Sequence, residues 1–210
     1  VGSNPLLTKR ADVCGKTVVL CYAFPMPGTI WEAAFELAAD RYGYVTPSDI
    51  RELGADPALL RQWARRGAVR RVAHGVYRFD GVPATKFDAY MLATLWPAGK
   101  GVLSHETALE LYELCDVNPA AIHITVPPAA TYRPMREGGA AYNVHHEALE
   151  AREIGWFEAI PIVVDSVAVR QCIKGGLQRH LIRQAIDSLE KRGRVAASQL
   201  DDLKQMATRI

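Results

Sequence analysis

TPSDIRELGADPALLRQWARRGAVRRVAHGVYRF, residues 46–79, is the stretch on which the reading of this chain turns. Thr46-Pro47 is a helix start, a hydroxyl N-cap followed by proline at the first helical position, where its missing N–H costs nothing. The short helix it opens, residues 47–53, stops at Gly54. Asp56-Pro57 repeats the device and opens a second helix, residues 57–66. At about 100° per residue, Leu59, Leu60 and Trp63 share one face of that helix. Arg61 and Arg65 take the opposite face with Ala58 beside them, and Gln62 and Arg66 flank it. Residues 69–79 then alternate as two short strands about His74-Gly75, a tight-turn pair. Helix, glycine turn, basic helix and ribbon is the pattern of a winged helix-turn-helix.

Charge sharpens this reading. Residues 57–78 hold six arginines (Arg61, Arg65, Arg66, Arg70, Arg71 and Arg78) and no acidic residue, a charge of +6 in a chain whose net charge is +2. A solvated helix face normally mixes signs to gain pairs one turn apart. Positive charge gathered on one helix and ribbon instead suits a phosphate backbone. Arg61, Gln62 and Arg65 are the candidates for the major groove, since arginine can read guanine edges and glutamine adenine. Arg66, Arg70, Arg71 and Arg78 are the candidates for phosphates or for the minor groove beside the ribbon.

The remainder is a soluble chain in outline. It has 210 residues, 49% hydrophobic and 23% charged, enough for one large domain or two small ones. No apolar run reaches the ~18 residues of a membrane span. Residues 18–24, preceded by Lys9, Arg10 and Lys16, outline a signal-peptide core, but no small-residue cleavage site follows and export would separate a basic helix from nucleic acid. A cytoplasmic protein is expected. Cys14, Cys21, Cys115 and Cys172 show neither CxxC pairs nor zinc-type spacing, so free thiols are expected.

Upstream of the decisive stretch, residues 30–42 form a helix pattern with Trp31, Ala34, Phe35, Ala38 and Tyr42 on one face and Glu32, Glu36 and Asp40 opposite; Gly43 ends it. Downstream, residues 87–96 and a helix capped by Ser104 and running to Leu114 are expected, then strands at 121–126, 140–145 and 159–164. Residues 177–191 and 198–207 are closing helices. Strands and helices interleave without a strict βαβ rhythm, so the fold class is α+β. The expected division is an irregular extension over residues 1–28, a winged helix-turn-helix over 29–82 and a mixed α+β C-terminal domain over 83–210.

Little in the chain looks catalytic. His145-His146-Glu147 and Ser104-His105-Glu106 are tempting metal ligands, yet neither is HExxH, and neighbours on a strand point to opposite faces. Ser104 lacks a GxSxG setting. Gly138-Gly139 and Gly175-Gly176 are isolated pairs rather than nucleotide fingerprints. Asp187 with Glu190-Lys191 is a loose approach to a nuclease site. A second basic patch, Arg179, His180, Arg183, Lys191, Arg192 and Arg194, reads first as a solvated helix, with a second DNA contact or a docking face for an acidic partner as the alternatives. No catalytic residue, metal or cofactor is expected.

GYVTPSDIRELG (43–54), the arginine helix and RRVAHGVYRF (70–79) resemble the N-terminal winged helix of the AbiEi-type antitoxins of type IV toxin–antitoxin systems. VLSHETALEL (102–111) and IHITVP (122–127) resemble the opening of that family's C-terminal domain, and IPIVVDSVAVRQCI (160–173) a later stretch more loosely. The resemblance implies an autorepressor that binds repeats in its own promoter and an antitoxin that opposes a co-encoded nucleotidyltransferase-like toxin. It carries over the helix and ribbon alone: Arg61, Gln62, Arg65, Arg66, Arg70, Arg71 and Arg78. One winged helix reads only a few base pairs, so two copies on a repeat, as a homodimer or by cooperative binding, are expected. The alternatives are a nuclease targeted by the winged helix and a repressor gated by a small ligand.

Overall fold

The computed structural model describes residues 29–133 and 140–209; the expected N-terminal extension, Cys14, Cys21 and Gly138-Gly139 lie outside them. The N-terminal part runs α1 (Thr29–Ala39), β1 (Tyr44–Val45), α2 (Pro47–Glu52), α3 (Ala58–Arg65), β2 (Arg70–Ala73) and β3 (Val76–Arg78). Its three strands form an antiparallel sheet in the order β1-β3-β2. This is the element order and pairing of a winged helix.

Local chemistry explains each turn. Thr46 caps α2 in a reciprocal box. Its side chain accepts from the Asp49 N–H, while Asp49 Oδ2 accepts from the Thr46 N–H at 2.7 Å. Asp49 Oδ1 also takes Arg41 at 2.6 Å, tying the end of α1 to the start of α2. The Asp56 carboxylate accepts from the Ala58 N–H at 2.7 Å, satisfying a free donor at the head of α3. The core beneath is aromatic. Trp31 meets Trp63 and Phe79 edge-on, each at 4.9 Å between centroids, and Leu60, Ile50 and Val45 close around them.

The helix expected over residues 30–42 ends earlier, at Ala39. Tyr42 (φ 56°) and Gly43 (φ 89°) form a left-handed turn, which swings Tyr42 away from this core to meet Phe87 at 6.0 Å. Tyr42 thus belongs to the packing of the second half.

That half contains α4 (Asp88–Leu95), β4 (Val102–Leu103), α5 (His105–Leu111), β5 (Ile122–Val126), β6 (Tyr142–His146), β7 (Ile154–Phe157), β8 (Ile160–Val163), α6 (Asp165–Lys174), α7 (Arg179–Arg192) and α8 (Ala197–Thr208). Its sheet has the order β6-β5-β4-β8-β7. The β4-β5 and β7-β8 pairs are antiparallel, whereas β4-β8 and β5-β6 are parallel. The mixed sheet is α+β, without the rhythm of a doubly wound fold. Alternation along the strands gives it two covered faces. On one, Tyr142 meets Trp96 just past α4; on the other, Thr125 meets Gln171 of α6. Arg192 at the end of α7 donates to the carbonyls of Tyr112 and Glu113 at 2.6 and 2.9 Å, satisfying groups left free beyond α5. One member of the second basic patch is therefore structural.

The two halves meet along β3, whose alternate side chains serve different cores. Tyr77 and Phe79 pack with the α1–α3 aromatics, while Val76, with Tyr44 of β1, packs with Met91 and Trp96. Arg78 is on the second side. It donates to Asp88 Oδ2 at 2.9 Å and to the Val82 carbonyl at 3.0 Å, and its guanidinium carbon lies 5.8 Å from the Tyr44 ring centroid. The two side chains of this ion pair are only 8% and 17% exposed. Removing one partner leaves a charge in a nearly dry seam.

Arg78→Met is therefore expected to lower the free energy of unfolding by about 3 kcal/mol, measured by urea denaturation. A loss below about 0.5 kcal/mol, typical of an exposed pair, would contradict the buried seam. Gly43→Ala is expected to cost at least about 1 kcal/mol in the same assay. Its φ is 89°, and an added Cβ would lie 3.2 Å from Val82 Cβ and 3.3 Å from the Phe79 carbonyl oxygen.

Candidate nucleic-acid interface

The outer face of α3 carries the exposed charge. Leu60 and Trp63 are buried beneath it and fix the helix by its apolar side. Arg61 and Arg65, one turn apart, are exposed, as is Arg66 at the C-cap; Gln62 is half-buried on the flank. None of these three arginines pairs with a carboxylate among the described residues. Among those residues nothing takes their guanidinium donors, which can meet an incoming anion.

The wing differs from the sequence expectation. Arg70 and Arg71 are exposed on β2, but both are engaged. Arg70 Nε donates to Asp80 Oδ1 at 3.2 Å, with both side chains more than half exposed. Arg71 lies against the wing tip: Nε donates to the Ala73 carbonyl at 3.4 Å, and NH2 is 3.2 Å from His74 Nδ1. Such exposed contacts are weak and can yield to a phosphate.

Arg78 does not join the set. It is 7% exposed, and its side chain is held by Asp88 and the Phe79 and Val82 carbonyls. The expectation that it grips a phosphate is corrected by that burial. Charge counting along the ribbon missed it because strand alternation turns Arg78 inward beside Val76, while its register partner Arg70 stays exposed on β2. The partner was also hidden. Asp88 is ten residues on, and its other oxygen is already held by the Thr85 N–H and hydroxyl at 2.8 and 2.9 Å.

A cleft of about 790 Å³ opens between α2, the wing tip and the end of α4. Arg41, Asp49, His74, Trp96 and Tyr132 line it. Trp96 Nε1 is buried with no hydrogen-bond partner among the described residues. No sequence motif signalled this cleft, because its walls come from four separated segments. Asp187 and Glu190, the loose nuclease candidates, are exposed on α7, and Glu190 is taken by Lys204 at 2.8 Å. Among the described residues no helix is long and apolar enough to cross a membrane.

Comparison with known proteins agrees with this geometry where it overlaps. Residues 32–79 match the model of the family described as transcriptional regulator, AbiEi antitoxin. No curated protein matches the chain significantly. Among solved structures, the crystal structure of the RV2827C protein from Mycobacterium tuberculosis aligns with 17% identity and a TM-score of 0.49, over 87% of this chain and 74% of that one. From α1 through the wing, residues 32–79 are thus similar to the AbiEi antitoxin family of transcriptional regulators.

Proposed function

We propose that the chain is a cytoplasmic autorepressor and antitoxin, without catalytic turnover, that binds repeats in its own promoter and opposes a co-encoded nucleotidyltransferase-like toxin. The observation that carries the DNA half of this reading is the pair Arg61 and Arg65, exposed and without carboxylate partners among the described residues, on a helix whose other face is buried. The family match over residues 32–79 supports both halves. The division of labour follows the expected boundaries: residues 29–82 bind DNA, and residues 83–210 supply the toxin contact, the contact between two copies on a repeat, or both.

Within the DNA-binding part, α3 enters the major groove with Arg61, Gln62 and Arg65 toward base edges. Arg66 lies at the phosphates. Arg70 and Arg71 join it there by exchanging weak intramolecular contacts for stronger charge-assisted ones. Arg78 stays behind the wing as a structural residue.

A small ligand acting through the cleft is the second reading, favoured by one observation. Trp96 lines the cleft and its buried Nε1 has no hydrogen-bond partner among the described residues, and an unpaired buried donor costs free energy that a ligand acceptor would recover. A metabolite extract that changes operator affinity of the wild type but not of Trp96→Phe would favour it over a protein partner.

Arg61→Ala and Arg65→Ala are each expected to weaken binding to the promoter by about 1–3 kcal/mol while leaving binding to unrelated DNA less affected, measured by gel shift. Unchanged promoter affinity in the double variant would overturn the groove assignment. Asp80→Ala should release Arg70 and tighten binding to all DNA sequences alike, read as a steeper salt dependence by about one unit. When the toxin is co-expressed, the Arg61→Ala/Arg65→Ala double variant is expected to lose repression of a promoter fusion yet still restore growth. Loss of both together would place the two activities on one surface.

A further inference from the structure

Three histidines far apart in sequence converge on one face of the second sheet. In the parallel β5-β6 ladder, His123 lies opposite Asn143 and Thr125 opposite His145. Strand alternation puts all four on the same face, with His123 and His145 on a diagonal. His123 Nδ1 is 3.1 Å from His145 Nε2. His146 points the other way, its Nε2 3.3 Å from the Tyr132 hydroxyl. The adjacent pair His145-His146 is thus divided between faces, and the companions of His145 come from elsewhere.

His105 completes the group from the first turn of α5. Its φ is 51°, a left-handed conformation that a non-glycine residue adopts at a cost. The neighbouring Ser104 does not cap the helix with its side chain, contrary to the sequence expectation; Ser104 Oγ lies 3.0 Å from His105 Nδ1 instead. The Gln171 side chain accepts the His105 backbone N–H at 3.4 Å. These contacts hold the imidazole over the sheet, stacked on His145 at 3.5 Å between centroids with 15° between planes. One nitrogen from each of the three rings lies within 4.8 Å of the other two.

We propose that His105, His123 and His145 bind one divalent transition-metal ion of the zinc class. Zinc held by imidazole at about 2.0–2.1 Å sets its ligand nitrogens about 3.3 Å apart in a tetrahedron, close to the separation already present between His123 and His145. His105 reaches the site by turning its ring out of the stack. Two of the three rings also have a partner for the nitrogen that faces away. Ser104 Oγ is beside His105 Nδ1, and the Asn143 side-chain amide lies 3.1 Å from His123 Nε2. Such outer partners orient metal-bound imidazoles and fix their tautomers. Burial, then the two neighbouring imidazoles, pushes His105 down to about 3. His123 and His145 are lowered as well, mainly by burial.

Among the described residues this is the only group of three or more histidine, cysteine or acidic side chains with converging ligand atoms. An all-nitrogen donor set favours zinc, nickel, copper or iron over magnesium or calcium. The nearby Glu147 is engaged by Gln171 Nε2 at 2.7 Å, so a fourth position falls to water. The ion would tie β6, an edge strand of the sheet, to β5 and to the head of α5.

The test uses the full chain, stripped with EDTA and titrated with zinc sulfate by calorimetry, with the visible spectrum of added Co²⁺ as a second readout. One equivalent is expected to bind, with a tetrahedral Co²⁺ band and a rise in Tm on zinc addition. His123→Gln and His145→Gln should abolish all three effects, whereas His146→Gln and His180→Gln should preserve them. Circular dichroism of the metal-free variants checks that the fold is kept. Ser104→Ala and Asn143→Ala retain every imidazole and should weaken zinc about 10- to 100-fold. Absence of saturable one-to-one binding by the wild type, or undiminished binding by His123→Gln and His145→Gln, would overturn the site and leave a hydrogen-bonded imidazole cluster.

Discussion

A guanidinium and a carboxylate in a nearly dry seam, Arg78 with Asp88, set how the two halves of this chain meet. Burying such a pair contributes little net stability, because desolvation consumes most of the attraction. Its effect is on geometry. Any arrangement that separates the partners strands a charge away from water, so the pair selects one docking of the winged helix against the second half. The backbone around it is committed in the same way. Val82 gives its carbonyl to Arg78, Thr85 gives its N–H to Asp88, and Gly43 leaves room for the Arg78 side chain.

That seam also decides which arginines are free. The wing sheet is a shared wall, with Tyr77 and Phe79 in one core and Tyr44 and Val76 in the other. A ribbon packed on both faces offers DNA only its outer edge and tip. The positive charge available to a phosphate backbone thus concentrates on α3 and β2. Electrostatic steering toward DNA needs only this uneven distribution, which explains how a chain of net charge +2 can be a nucleic-acid binder.

Much of the winged helix was legible in the sequence because its signals are local. The Thr46-Pro47 and Asp56-Pro57 starts, the Gly54 stop and the turn at His74-Gly75 each act within a few residues, and period-3.6 spacing placed Leu60 and Trp63 inward. What escaped was set by tertiary contacts. The left-handed Tyr42-Gly43 turn, the two-residue strands β1 and β4, and β7 have too little pattern to announce themselves. Arg78 looked like its basic neighbours until strand alternation and Asp88 turned it inward. The histidine cluster was invisible for a similar reason. Adjacent histidines drew attention, whereas the ladder joins residues 22 positions apart and α5 adds a third from 18 positions upstream of His123.

We propose that the exposed arginine face of α3 reads the chain's own promoter. A gel shift on that promoter, repeated over a range of salt concentrations with excess unrelated DNA, tests it most directly. Promoter reading by α3 requires specific retention that falls steeply with salt, by a slope of about −0.9 per phosphate contact, and that is lost when Arg61 and Arg65 are both alanine. Binding no tighter to the promoter than to unrelated DNA would contradict it and leave the arginines as an electrostatic patch.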